Sequence, residues 1–143
     1  MEQSYHISWY TPNFINICID SINDGELSGL IYHCYSKEPR RFANILQLLE
    51  ISDDFFNKLQ FPQASTNART FILNQTSESI ELTKVLSPEK VAENRGEKGT
   101  FFLNVQYRQN SSWQGIVNWI EGNITYHFLS VLELLKILSN VLV

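Results

Sequence analysis

The feature that most constrains this chain is an internal similarity between two segments separated by 115 − 29 = 86 residues. Residues 29–54 (GLIYHCYSKEPRRFANILQLLEISDD) align with residues 115–140 (GIVNWIEGNITYHFLSVLELLKILSN) without a gap. Six positions are identical: Gly29/Gly115, Phe42/Phe128, Leu46/Leu132, Leu48/Leu134, Leu49/Leu135 and Ile51/Ile137. Self-similarity of this kind indicates a duplicated supersecondary unit.

The polar residues of the two segments also keep the same phase. They recur every three residues, as Asn44, Gln47 and Glu50 in the first segment and as Ser130, Glu133 and Lys136 in the second. This spacing predicts a solvent-facing stripe on a helix whose remaining circumference is apolar.

Strand patterns precede each helix. Residues 14–20 (FINICID) have a β-rich composition, and residues 101–108 (FFLNVQYR) alternate in the manner of a half-buried strand. Asp24-Gly25 predicts a tight turn in the first copy, and Glu121–Asn123 turns the chain in the second. Pro39 is expected to shorten the strand that follows it or to place it at a sheet edge.

The predicted fold class is α+β, with two pseudo-symmetric β-β-β-α repeats whose antiparallel sheet is packed by two long helices. A closed or split barrel stays open as the alternative. We expect one domain, 1–143, with repeat 1 at about 14–60, a connection at 61–99 and repeat 2 at about 100–143. Ser52 is predicted to be the N-cap of a short second helix that ends at Pro62. Residues 87–99 are predicted to form an exposed connection between the two repeats.

Composition excludes several functional classes. A net charge of −4 disfavours a nucleic-acid partner, because binding to the phosphate backbone depends on clustered Lys and Arg. No apolar run reaches the roughly 18 residues that a membrane span requires, so we expect a cytoplasmic protein. In that reducing compartment, Cys18 and Cys34 are predicted to be small buried hydrophobic residues rather than a disulfide pair.

No reaction-defining motif occurs in the sequence. The three histidines, His6, His33 and His127, lie in no recognisable catalytic motif. The cysteines and histidines lack the spacing of a metal site. We therefore predict no catalytic residues, no metal and no cofactor.

Two candidate surfaces remain. Five residues around the turn before Gly115 have no counterpart in the first copy and could bind a flat ligand: Arg108, Gln109, Asn110, Trp113 and Gln114. Trp113 could equally cap the end of the core with Arg108 across its face.

The C-terminal helix is more apolar than one sheet contact requires, which favours a protein interface formed by Leu135, Leu138, Val141 and Leu142.

The segments YRQNSSWQG and FPQAS, together with LELLKIL, are similar to a group of small uncharacterised bacterial proteins, chiefly of Firmicutes. The similarity runs through most of the chain and implies a bacterial cytoplasmic protein, without implying any chemistry.

The leading hypothesis is a non-enzymatic protein-interaction or regulatory module that forms a homodimer or binds an unidentified protein through its helices. The alternative is a small-ligand or nucleotide sensor that uses the Arg108–Trp113 loop between the two repeats. An unrecognised enzyme at the same place is a third and weaker possibility.

Overall fold

The computed structural model describes residues 11–60, 83–109 and 112–142 of the chain. They form six strands and three helices. The strands are β1 (Ile15–Asn23), β2 (Glu26–His33), β3 (Arg40–Phe42), β4 (Gly99–Gln109), β5 (Ser112–Trp119) and β6 (Ile124–Phe128). The helices are α1 (Ile45–Leu59), α2 (Pro88–Ala92) and α3 (Val131–Val141).

All six strands belong to one antiparallel sheet with the order β3-β2-β1-β4-β5-β6. The α+β class with an antiparallel sheet is therefore confirmed. Strands β1 and β4 lie at the centre and β3 and β6 at the two edges, so the described part of the sheet is open and does not close into a barrel.

The predicted turns are present. Asp24 (φ 52°) and Gly25 (φ 83°) both have positive φ between β1 and β2, which is the geometry of a two-residue hairpin turn that follows the twist of the strands. Asn123 (φ 55°) turns the chain between β5 and β6. After Pro39, β3 is only three residues long and lies at the sheet edge, as predicted.

Two glycines allow neighbouring strands to approach closely. Gly29 of β2 lies opposite Phe42 of β3, and Gly115 of β5 lies opposite Phe128 of β6. A Cβ atom added at Gly29 would be 1.9 Å from the Cys18 carbonyl oxygen, and one at Gly115 would be 2.1 Å from that of Asn104. Both contacts involve backbone atoms, so no side-chain rotation could relieve them. Each glycine also lies beside a register shift of the adjoining central strand, between residues 19 and 21 of β1 and between residues 105 and 107 of β4.

Helices α1 and α3 begin with reciprocal caps. The Asn44 side chain accepts from the Gln47 backbone N–H, and Gln47 Oε1 accepts from the Ala43 N–H (both 2.8 Å). At α3, Ser130 and Glu133 form the same two bonds, Glu133 with the Leu129 N–H at 2.7 Å. Each cap satisfies a first-turn N–H that has no partner within its helix, that of Gln47 or Glu133, and the reciprocal bond holds the residue before the N-cap. Gln47, Glu50, Glu133 and Lys136 are exposed, as the predicted solvent stripe requires, and the first two positions of each polar pattern also cap their helix.

The prediction that Ser52 begins a second helix is wrong. Helix α1 runs without a break over 15 residues, and Ser52 lies on its buried face together with Leu48, Phe55 and Phe56. The apolar spacing continues through Ser52, so burial of this face against the sheet overrides the local capping preference. The helix ends at Gln60 (φ 60°), whose N–H donates to the Phe56 carbonyl.

Helices α1 and α3 cover the same face of the sheet. On this face, alternate residues of β1 and β4 meet the helices in the main core, whose most deeply buried members include Ile15, Ile17, Ile19, Phe101, Leu103, Val105, Leu48, Phe56, Leu134 and Leu138. Alternation along each strand turns the intervening residues to the opposite face.

The opposite face of the sheet carries a second, smaller cluster formed by Phe14, Cys34, Val91, Ala92 and Phe102. Two of its members belong to α2, so part of the segment expected to be an exposed connection is packed against the sheet. The Asn16 side chain of β1 fixes this helix by donating to the Val91 and Asn94 carbonyls (2.8 and 3.0 Å). The expectation of an exposed connection is therefore wrong for this part of the segment.

The close strand approach at the two glycines gives the first prediction. We expect Gly29→Ala and Gly115→Ala each to lower the free energy of unfolding by about 3 kcal/mol or more, because the added methyl group must displace backbone. Gly25→Asn is the control, since asparagine tolerates positive φ and no atom lies within 4 Å of the added Cβ. Urea unfolding measures all three variants. A loss below about 1 kcal/mol at Gly29 and Gly115 would show that the strands can separate freely.

Candidate functional site

The candidate ligand-binding residues lie at one end of the sheet, where β4 passes into β5. Arg108 and Trp113 are directly opposite each other in the register of these two strands. Gln114 is exposed. Residue 109 belongs to β4, but its side chain, like Asn110, lies outside the described residues.

Among the residues that the structure describes, Arg108 is the one charged residue that is buried. Its guanidinium donates to Asp53 Oδ1 at 3.1 Å and to Asn57 Oδ1 at 2.9 Å, both on α1. The guanidinium carbon also lies 5.6 Å from the centre of the Phe56 ring. These contacts join the end of β4 to the last two turns of α1.

Trp113 packs from the neighbouring strand onto the same phenylalanine. The two rings meet edge to face, with centroids 5.4 Å apart, and only 5% of Trp113 is exposed. Arg108 and Trp113 therefore hold Phe56 between them, which matches the alternative in which they cap the end of the core. Gln114, the next residue on β5, faces the other side of the sheet because successive strand side chains alternate.

The predicted helical interface is only partly at the surface. Leu138 is fully buried in the core, because it lies one turn beyond Leu134 on the face of α3 that meets the sheet. Leu135, Val141 and Leu142 are half-buried, and Leu142 covers Gly99, where an added Cβ would be 2.7 Å from its methyl group. Leu138 therefore takes no part in any protein interface.

The most exposed leucines of the described residues are at other positions. Leu46, Leu129 and Leu132 are 62%, 64% and 60% exposed, and all three lie in or beside the first turns of α1 and α3. The sequence contains a signal for Leu46 and Leu132, since each stands four residues before an exposed charged residue, Glu50 or Lys136, and so shares its face. This signal is weaker than the three-residue polar spacing, in which Gln47 and Glu133 directly follow the two leucines.

A shallow groove of about 280 Å³ runs between α1 and the beginning of α3. It is lined by Leu49, Glu50, Asp53, Trp113 and Val131. We call it the interhelical groove. Leu46 lies on the same helical face as Leu49, Glu50 and Asp53, and Leu132 follows Val131 directly, so each helix that lines the groove also carries an exposed leucine.

Burial shifts the pKa values of the titratable groups Cys18 and His33. Burial raises the pKa of the Cys18 thiol to about 12, so this cysteine is a poor nucleophile. Burial, with a smaller effect of Arg40, lowers the pKa of His33 to about 4, so the imidazole is neutral at pH 7. The His33 ring stacks on Phe55 at 4.0 Å, and its Nδ1 accepts from the Tyr35 N–H. These contacts assign His33 a packing role.

Within residues 11–60, 83–109 and 112–142, no three His, Cys, Asp or Glu side chains are grouped as metal ligands. None of the helices formed by these residues has the length and apolarity needed to cross a bilayer. Comparisons with protein-family models, with curated proteins and with solved structures find no match to the chain. Function therefore has to be inferred from the surfaces themselves.

The contacts of Arg108 give the second prediction. Arg108→Ala should lower the free energy of unfolding by about 2 kcal/mol, because it removes charged hydrogen bonds and the contact with Phe56. Arg108→Lys should recover little of this loss, since an ammonium group cannot reproduce the planar contacts. Asp53→Ala should cost less than about 1 kcal/mol, because the Asp53 side chain is 52% exposed.

Chemical denaturation checks these three values, with Lys58→Ala as the control at an exposed ion pair. If Arg108→Ala leaves the free energy of unfolding unchanged, Arg108 is not a structural residue and is available to a ligand.

Proposed function

We propose that the chain is a non-enzymatic protein-interaction module and that its binding surface is the interhelical groove with the leucines beside it. The observation that carries this proposal is the exposure of Leu46 and Leu132, 62% and 60%, on the two helices that flank the groove. Large apolar side chains grouped on a surface and bordered by polar residues are typical of protein-binding sites.

The character of the groove supports a partner with an amphipathic helix. Leu49, Val131 and the edge of Trp113 provide an apolar floor, and the α1 side has an acidic rim whose exposed carboxylate is that of Glu50, since Asp53 is paired with Arg108. An amphipathic helix that buries its apolar face in such a groove is a recurring mode of peptide recognition. The acidic rim favours a partner helix with Lys or Arg beside its apolar stripe.

The small-ligand alternative has less support. Small-molecule sites are generally concave and enclose most of the ligand, whereas this groove is shallow and open. The guanidinium of Arg108, which the sensor hypothesis needs at the ligand, is engaged by Asp53 and Asn57.

We also propose that the two halves of the sheet, each with its following helix, are copies of one β-β-β-α unit. Three structural features of the first half recur 86 residues later in the second half. The cross-strand pair Gly29/Phe42 corresponds to Gly115/Phe128, and the register shift after Ile19 corresponds to the one after Val105. The helix cap Asn44 corresponds to Ser130. The order of the strands is also the same when read outward from the centre. On this proposal, the groove lies between equivalent helices.

The proposed surface can be tested by site-specific photo-crosslinking in the cells that produce the protein. A photoreactive phenylalanine at position 132 should give one discrete protein adduct on irradiation. Leu46→Glu in the same chain should abolish that adduct, because it places a charge in the apolar contact. The stability of the chain should change by less than about 0.5 kcal/mol, since Leu46 is exposed.

The matched control carries the photoreactive residue at position 38, which is exposed and lies outside the helices. Absence of an adduct at position 132, or equal adducts at both positions, would contradict the proposed surface.

A further inference from the structure

The two edges of the sheet differ in how well they are protected from other strands. Strand β3 is three residues long, follows Pro39, and carries Arg40 and Arg41. Short length, proline and charge are the devices by which proteins block pairing at a sheet edge. One edge is therefore closed to a further strand.

Strand β6 has none of these devices. Its five residues, Ile124–Phe128 (ITYHF), include no proline and no Lys, Arg, Asp or Glu. They are β-branched or aromatic residues in the main, which are the types that pair well in sheets. In the described part of the chain β6 pairs with β5 alone, so alternate N–H and C=O groups along its outer side point away from the sheet.

The pattern of β6 is symmetric about its central residue. Ile124, Tyr126 and Phe128 face the helices, where Tyr126 and Phe128 contact the main core, while Thr125 and His127 face the other side. When two such strands pair in antiparallel fashion about Tyr126, apolar residues lie opposite apolar ones and polar residues opposite polar ones. Ile124 then faces Phe128 of the other copy, and Thr125 faces His127.

We propose that β6 is a dimerisation edge, at which a second copy of this chain pairs in antiparallel fashion with Tyr126 opposite its counterpart. The two sheets would join into one continuous sheet with a twofold axis at Tyr126. Such an interface is isologous, because each copy contributes the same strand. Main-chain hydrogen bonds supply the affinity and the cross-strand side-chain pairs fix the register.

The exposure of Ile124 is an independent reason to expect that a second chain covers this strand. It is 43% exposed, although it belongs to the face of the sheet on which Phe128 is buried. In the dimer, Ile124 would lie across the strand from Phe128 of the second copy, which shields apolar area from water. This inference does not depend on the proposed interhelical groove, because the two surfaces share no residue.

Charge reversal across the twofold axis tests the inference with the full-length chain. Tyr126→Lys and Tyr126→Glu each place two like charges opposite one another, so each variant alone should dimerise at least about tenfold more weakly than the wild type. An equimolar mixture of the two variants should form a heterodimer, because Lys and Glu then face each other. Sedimentation velocity of the single variants and of the mixture measures this, and thermal melts of each variant confirm folding.

Tyr107→Lys is the matched control, since Tyr107 is 65% exposed on β4 and distant from both sheet edges in strand order. It should leave association unchanged. A wild-type chain that stays monomeric at millimolar concentration overturns the inference, and so does a dimer that survives both Tyr126 variants.

A dimer that Leu132→Glu abolishes but Tyr126→Lys does not would place self-association on the helices and likewise overturn the inference. Each of these results is independent of the photo-crosslinking result, which measures binding at the groove. Failure of the β6 edge is thereby distinguished from failure of the proposed function.

Discussion

The antiparallel pairing of β1 with β4 is the contact on which the rest of the structure depends. It joins residues that are far apart in the chain, from Ile15 opposite Leu103 to Ile19 opposite Gly99, and it buries both faces of the sheet. Ile17 and Phe101 meet the helices on one face, while Asn16 and Phe102 meet α2 and its neighbours on the other. Strands β2 and β3 follow β1 on one side of this pair and β5 and β6 follow β4 on the other, and each is joined to the preceding strand by a short connection. Both sheet edges, and the groove between the helices, follow from that arrangement.

Local signals in the sequence predicted much of this fold. The turn at Asp24-Gly25, the turn at Glu121–Asn123 and the short edge strand after Pro39 all follow from turn chemistry and the effect of proline. The continuation of α1 through Ser52 could not be read locally, because a serine before two aspartates is a good cap unless its face is buried by tertiary contact. The core pairing of β1 with β4 was equally beyond local patterns, since it depends on contacts between distant segments.

The candidate binding surfaces, like the fold, could be predicted only in part from local sequence patterns. An arginine near a tryptophan in the sequence is compatible with a ligand site or with a packed rim, and only the position of Phe56 between them distinguishes the two. The exposure of Leu46 and Leu132 was signalled only by the charged residue four positions after each, Glu50 and Lys136. With Arg108 and Trp113 engaged in packing, exposed apolar side chains among the described residues include Leu46 and Leu132 on the helices and Ile124 on β6. Both features suit association with protein chains better than chemistry on a small molecule.

Residue-resolved hydrogen exchange of the native chain tests the central role of the β1–β4 pair most directly. If the structure depends on this pairing, the hydrogen-bonded amides of both strands should exchange most slowly, at rates set by global unfolding. Those of edge strand β3 should exchange through smaller local openings. Amides of β1 or β4 that exchange as fast as those of β3 would contradict the account, because the two halves could then separate without unfolding the sheet.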